Sequence, residues 1–379
     1  MGAEQTYAYS PDYAVPPGDT LLEVIESLGI TQAELAERTG RPTKTINEIV
    51  KGKAAITPET ALQLERVLGV PASFWNNLEQ NYQTALARAA ERQRLERHIK
   101  WLKGIPVRSM IDLKWVEAHR EPVAQLQTIL SFFGVASIEA WQDLWGGVRR
   151  ATAFRQSLAY QSDFAVVAAW LRKGELDART IQCQPFDASR FRETLMEARA
   201  LTTDPQAVPN KLVSLCASAG VVVAFVPELP KLRLWGATRW LTPEKALIQL
   251  SLRYKWDDHL WFTFFHEAAH ILLHGKRLVF VENFAVGNRP DKDDKTPTPQ
   301  GSEEQESQAN AFAADFLIPP DRYVDFVHAG SRSCVAIETF ARDLGIAPGI
   351  VVGRLQHDRV IPYSSCNGLK GQFQWVERD

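Results

Sequence analysis

The chain has 379 residues, enough for two or three domains, and 45% of them are hydrophobic, which supplies material for sizeable cores. A formal net charge of −2 excludes a globally basic chain, so any contact with nucleic acid has to come from a local patch. Cys183, Cys216, Cys334 and Cys366 show no CxxC or ligand spacing and read as reduced thiols of a cytoplasmic protein. No apolar run approaches the about 18 residues of a membrane span, and no basic-then-apolar leader opens the chain, so no membrane is expected.

Residues 1–18, rich in Tyr, Pro and Ser, read as a loose arm. From 19 to 83 the punctuation predicts five short helices. Asp19 can cap the first, Thr31 and Glu34 form a capping box on the second, and Gly40 ends it. Pro42 fits the first turn of the third helix, Thr57 and Pro58 open the fourth, and Pro71 starts the fifth. Two helices joined around Gly40 have the form of a helix-turn-helix, with the second as reading helix. Its Ile46, Ile49 and Val50 would face inward. Thr43, Lys44, Asn47 and Lys51 would face outward, with Gln32, Arg41 and Lys53 placed for phosphates. ITQAELAERTGRPTKTINEIVKGKAAITPETALQLERVLGVPASFW resembles the Cro/repressor (XRE) class, and within it the HigA-like antitoxin branch. The resemblance implies operator or promoter DNA as a partner and a homodimer as the binding species. Acidic residues outnumber basic ones in this segment, so the expected affinity is modest and falls with salt.

Residues 84–205 read as a helical linker and middle region. A basic helix continues the fifth one, and Val123 to Phe133, Ile138 to Trp145, Phe164 to Lys173 and Ala188 to Leu201 carry apolar residues at helical spacing. Trp115, Trp141, Trp145 and Trp170 read as core. Residues 206–379 form the last domain, beginning with a helix at Lys211 to Ala219. VVVAFVPEL, LWGATRWL and ALIQLSL then read as three strands. The edge Gly236 to Leu241 is a candidate for holding an extended peptide by strand addition.

WFTFFHEAAHILLHG follows directly. His266 and His270 lie four apart on one helical face and can close on one metal ion, while Glu267 stands at the edge of that face, where a carboxylate can serve as general base. His274, eight residues beyond His266, lies about 12 Å along a straight helix and is too far to share the ion, so it is read as a C-terminal cap before Gly275. A third ligand is sought in GSEEQESQANAFAADFLIPP. There Glu306, Ala309, Asn310 and Ala313 share a face; Glu306 is the first choice, with Glu303 and Glu304 as alternatives.

HEAAHILLH followed by ESQANAFAADFLIP resembles the ImmA/IrrE metallopeptidases, with the pattern HExxH, a variable loop, then ExxANxFAAxxLMP. Carried over by position, the resemblance makes His266, His270 and Glu306 the metal ligands and Glu267 the base. It implies Zn2+, with Mn2+ also compatible with the donor set, and a protein substrate such as a helix-turn-helix repressor. A departure is the long insert ENFAVGNRPDKDDKTPTPQGSEEQ, read as a mobile loop. His357, Tyr254 and Arg239 are candidate oxyanion stabilisers, and FARDLGIAPGIVVGRLQHDRVIP is read as a structural cover over the site. The expected architecture is therefore multidomain and mainly α: a five-helix head, a helical middle, and an α+β gluzincin-like metallopeptidase domain. Two functions follow. One is a DNA-binding regulator whose zinc-dependent endopeptidase cuts a partner. The other is a HigA-like antitoxin or repressor, with a toxin as partner and a structural or idle metal site.

Overall fold

The computed structural model describes residues 15–153, 164–206, 208–232, 234–252, 255–274, 280–282 and 300–375. The expected arm (1–14 of it), most of the insert (283–299) and Tyr254 lie outside the described residues. The chain divides into two compact units, Met1–Ile99 and Lys100–Asp379.

The first unit holds α1 (Pro17–Ser27), α2 (Gln32–Thr39), α3 (Thr43–Val50), α4 (Pro58–Leu68) and α5 (Ala72–Glu96). Apolar residues at helical spacing bury Leu21, Ile25, Leu35, Ile46, Ile49 and Trp75 in one core. The Thr31 hydroxyl accepts from the Glu34 amide at 3.2 Å, and Gly40 closes α2 in the left-handed region. Thr57 caps α4 in the same way. Three local expectations are corrected. Asp19 lies inside the first turn of α1, where it meets the helix dipole without capping, and Pro42 and Pro71 stand at the N-cap, one residue before the first turn. Helix α5 runs unbroken for 25 residues, so the boundary expected at 83 falls inside a helix and moves to 99.

The second unit begins with α6 (Val107–Asp112), α7 (Pro122–Phe133), α8 (Ile138–Ala153), α9 (Phe164–Thr180), α10 (Ala188–Ala200) and α11 (Val213–Ala217). Strands β1 (Val221–Phe225), β2 (Gly236–Thr242) and β3 (Lys245–Leu250) precede α12 (Asp257–Leu273). Then come β4 (Phe280–Glu282), α13 (Gln300–Leu317), α14 (Pro320–His328), α15 (Cys334–Leu344) and α16 (Pro348–His357). The sheet order is β1-β3-β2-β4, with β1 parallel to β3 and β2 antiparallel to both neighbours.

Alternation along the strands separates two cores. Val221, Val223, Ile248 and Leu250 face α12, whereas Val222, Ala224, Leu247 and Ala237 face the helices of the middle region, including buried Trp170 and Trp145. The region 100–205 is therefore one wall of the second unit, and the boundary expected at 205 does not separate two bodies. One stretch, Pro122–Gly146, has the length and mean hydropathy (1.3) of a membrane span, contrary to expectation. Gly134 breaks it into α7 and α8, whose apolar residues pack in this core.

Cys334 and Cys366 are bridged, which overturns the reading of four reduced thiols. The turn after α16 returns Cys366 to the start of α15, with the two Cα atoms 5.5 Å apart, a proximity that a 32-residue separation conceals. The segment beyond Cys366 then crosses the start of α12: Lys370 pairs with Asp258 at 2.6 Å, and Gly371 accepts from the Asp257 amide at 2.9 Å. Helix α16 covers the same turn, so close that a Cβ at Gly349 or Gly353 would stand 2.3 Å or 2.5 Å from the Asp257 or Asp258 carboxylate.

Candidate metal centre

Helix α12 is apolar nearly all round, and Trp261, Phe264 and Phe265 lock it between the sheet and α13. That burial takes His266, Glu267 and His270 out of water as well; each is at most 2% exposed. Helix α13 packs along α12 through Ala309 and Ala313, whose small side chains let the helices approach and bring Glu306 to the imidazoles.

The Nε2 atoms of His266 and His270 are 3.0 Å apart, and the Glu306 carboxylate lies 3.2 Å from the first and 3.6 Å from the second. All three ligand atoms fall within 4.8 Å of one another. Two imidazole nitrogens and a carboxylate oxygen that converge in a buried place form a donor set suited to a divalent cation. The separations fit one: bonds of about 2.0–2.1 Å at tetrahedral angles put donors about 3.3 Å apart. Burial pushes His270 down to about 4, against the opposing pull of Glu306, so the ring is neutral near pH 7 and its lone pair is available.

The outer nitrogens are engaged too. His266 Nδ1 meets Asn310 Oδ1 at 2.9 Å, and His270 Nδ1 meets His274 Nδ1 at 2.8 Å. His274 does stand at the C-cap of α12, as expected, but its ring turns towards His270, a contact that helical spacing at i+4 could have signalled. Asn310 shares the Glu306 face in sequence, and that was the available signal for it. Glu267 lies against β2, where Thr238 Oγ1 donates to its carbonyl at 3.1 Å. Gly236 is a steric requirement there, because a Cβ would stand 2.7 Å from Glu267 Oε1.

Two of the candidate oxyanion stabilisers stand on other elements, Arg239 on β2 and His357 on α16. Arg239 points to the far face of the sheet, donates to Leu171 O at 2.9 Å and pairs with Glu175 at 3.3 Å, as a side chain committed to structure. His357 is exposed at the end of α16 and meets Asp358 at 3.0 Å. Glu304 is exposed and bonds Gln308, so it is no ligand. Among the described residues, β4 covers the β2 edge from Gly236 to Thr238, within the edge expected to hold substrate.

In the first unit Thr43, Lys44, Lys51 and Lys53 are exposed, and Asn47 and Gln32 are half-buried with 3.4 Å between their amides. Arg41 is held by Gln63 Oε1 at 2.5 Å and Glu59 at 3.3 Å, a rigid placement that leaves less of its guanidinium for a phosphate.

A helix-turn-helix profile matches residues 21–75, and an IrrE N-terminal-like domain profile matches residues 248–356. An HTH-type transcriptional regulator of Escherichia coli (strain K12), YddM, is 34% identical over 71 residues, which are 19% of this chain and 76% of the relative. The chain belongs to the helix-turn-helix regulators of the XRE type and carries an ImmA/IrrE-like peptidase domain. Virulence-associated protein I of Dichelobacter nodosus is 35% identical over 75 residues, 20% of this chain and 69% of that protein. Among solved structures, the Pseudomonas aeruginosa antitoxin HigA with higBA promoter is 31% identical, covering 22% of this chain and 94% of that one at a TM-score of 0.22. An addiction module antidote protein of the HigA family from Coxiella burnetii is 29% identical, covering 22% and 92% at a TM-score of 0.21.

Proposed function

We propose that this chain is a cytoplasmic DNA-binding regulator whose second unit is a zinc-dependent endopeptidase acting on a helix-turn-helix repressor or antitoxin-type protein. One observation carries the reading: His266, His270 and Glu306 converge from two helices within 4.8 Å, with buried Glu267 beside them on the same helix. Mn2+ suits the same donors, and the separations fit either ion.

When bound, the ion supplies Lewis acidity, polarising a peptide carbonyl and lowering the pKa of water. His266 and His270 each present Nε2, and Glu306 supplies a carboxylate oxygen. Glu267 accepts the proton as the water attacks and delivers it to the leaving amine. Burial of α12 excludes bulk water, which strengthens every charge interaction at the site. The β2 strand, Gly236 to Leu241 in the expected edge, is the element beside Glu267 that could hold an extended substrate through backbone groups.

The first unit supplies address. Thr43 and Lys44 at the exposed start of α3, with half-buried Asn47 a turn further on, would meet base edges, and Lys51 and Lys53 phosphates, in a homodimer on operator DNA. The solved HigA relative with its promoter supports this reading by likeness of sequence.

The test is co-expression of the chain with the helix-turn-helix repressor encoded nearest to it, with fragments read by mass spectrometry. A new fragment should appear with the wild-type chain and vanish with Glu267→Gln. Cleavage that persists in the variant, or none by the metal-loaded wild type, would overturn the peptidase reading.

A further inference from the structure

We infer that Glu304, Gln308 and His274 form a positioning relay that fixes the tautomer of His270, and that Asn310 does the same for His266. The inference rests on the metal-site reading and assigns it four residues outside the ligand set.

The relay can be followed atom by atom. Gln308 Nε2 donates to Glu304 Oε1 at 3.3 Å, and because a carboxylate only accepts, this contact fixes which end of the amide faces the other way. Gln308 Oε1 therefore faces His274 Nε2 at 3.2 Å, and that nitrogen must carry the hydrogen. A neutral imidazole has one N–H, so His274 Nδ1 is an acceptor. It stands 2.8 Å from His270 Nδ1, which must then donate. His270 Nε2 is left with its lone pair, directed at His266 Nε2 and Glu306. On the other side, Asn310 Oδ1 accepts from His266 Nδ1 at 2.9 Å, with the same result for His266.

Without these partners each neutral ring has two tautomers, and one of them would place an N–H where the ion must bind. The relay also ties the ligand-bearing helices together away from the ion, since His274 is on α12 and Glu304, Gln308 and Asn310 are on α13. Partners that orient metal-bound histidines typically govern metal affinity by about 10–100-fold.

The experiment is zinc affinity of the full-length chain by competition with a chromophoric chelator, paired with the visible absorption of the cobalt-substituted protein. His274→Phe and Asn310→Leu should each weaken zinc binding by about 10–100-fold and alter the cobalt bands. Conservative changes should rescue: Asn310→Asp keeps an acceptor for His266, and Gln308→Glu keeps one for His274, so both should bind zinc like the wild type, whereas Gln308→Leu should bind more weakly. Wild-type affinity and cobalt spectra in His274→Phe and Asn310→Leu would overturn the relay while leaving the metal site intact. A wild-type chain that takes up neither metal would overturn the metal-site reading, and the relay with it.

Discussion

Gly236→Ala isolates the packing of the sheet against the proposed base. The added methyl would stand 2.7 Å from Glu267 Oε1 and 2.6 Å from Thr263 Cγ2, where ordinary contact begins at 3.4 Å. Both neighbours are buried, Glu267 at 0% and Thr263 at 3% exposure, so neither can swing into solvent and the strain must enter the backbone or the carboxylate. Overpacking of this kind costs about 1–3 kcal/mol. The unfolded chain loses entropy when Gly becomes Ala, which returns about 0.4–1 kcal/mol. Strain wins, and urea unfolding of the second unit should show a net loss of about 1–2 kcal/mol. Zinc uptake should survive, because the ligand atoms are not those that the methyl meets. Partner cleavage should fall by up to about 100-fold, since a displacement near 1 Å at a catalytic group costs that much. A variant as stable as the wild type with undiminished cleavage would refute the reasoning.

Reduction of the disulfide, or Cys334→Ser, should cost the second unit about 3–4 kcal/mol by the chain-entropy relation for a 32-residue separation, and leave the melting of the first unit unchanged; equal denaturation curves with and without reductant would count against the bridge. Buried Asp257 is pushed up to about 6, its unfolded value being 3.8, so between those limits the folded form binds more protons and stability falls as pH rises. His270 has the opposite sign: at about 4 when folded and 6.5 when unfolded, its contribution rises with pH over that window in the metal-free chain. Asp257→Asn should therefore gain stability relative to the wild type from pH 4 to 6 and level off above, by urea titration of the metal-free proteins; a constant difference would contradict the burial argument. In a gel shift over a salt series, Lys53→Ala should lower the salt slope by about one, and Arg41→Ala by less, because Glu59 and Gln63 already hold it. Equal effects would contradict that ranking.

Much of this was legible in the sequence, for identifiable reasons. Caps at Thr31, Gly40 and Thr57 act within a few residues, so they fixed the helices of the first unit. HExxH sets its own geometry within one helical turn, and Glu306 could be chosen because Ala309, Asn310 and Ala313 marked its face of α13. What could not be read depends on distant chain segments. The Cys334–Cys366 bridge depends on the turn after α16, and the β4 cover on β2 and the Val226 carbonyl that takes the Trp170 indole N–H depend on how the sheet assembles. Arg239 illustrates the same limit: alternation along β2 put it on a face of the sheet, but only the position of α9 and Glu175 decided which. Asn310, Gln308 and His274 were visible as residues, yet their roles depend on how α13 lies against α12.

The central claim is that one cation is held jointly by His266, His270 and Glu306. Anomalous diffraction at the zinc edge from crystals of the full-length chain tests it most directly. The expected map has a single peak about 2.0–2.2 Å from both Nε2 atoms and from a Glu306 oxygen. A peak bound elsewhere, or Glu306 turned away while zinc sits on the two histidines alone, would contradict it.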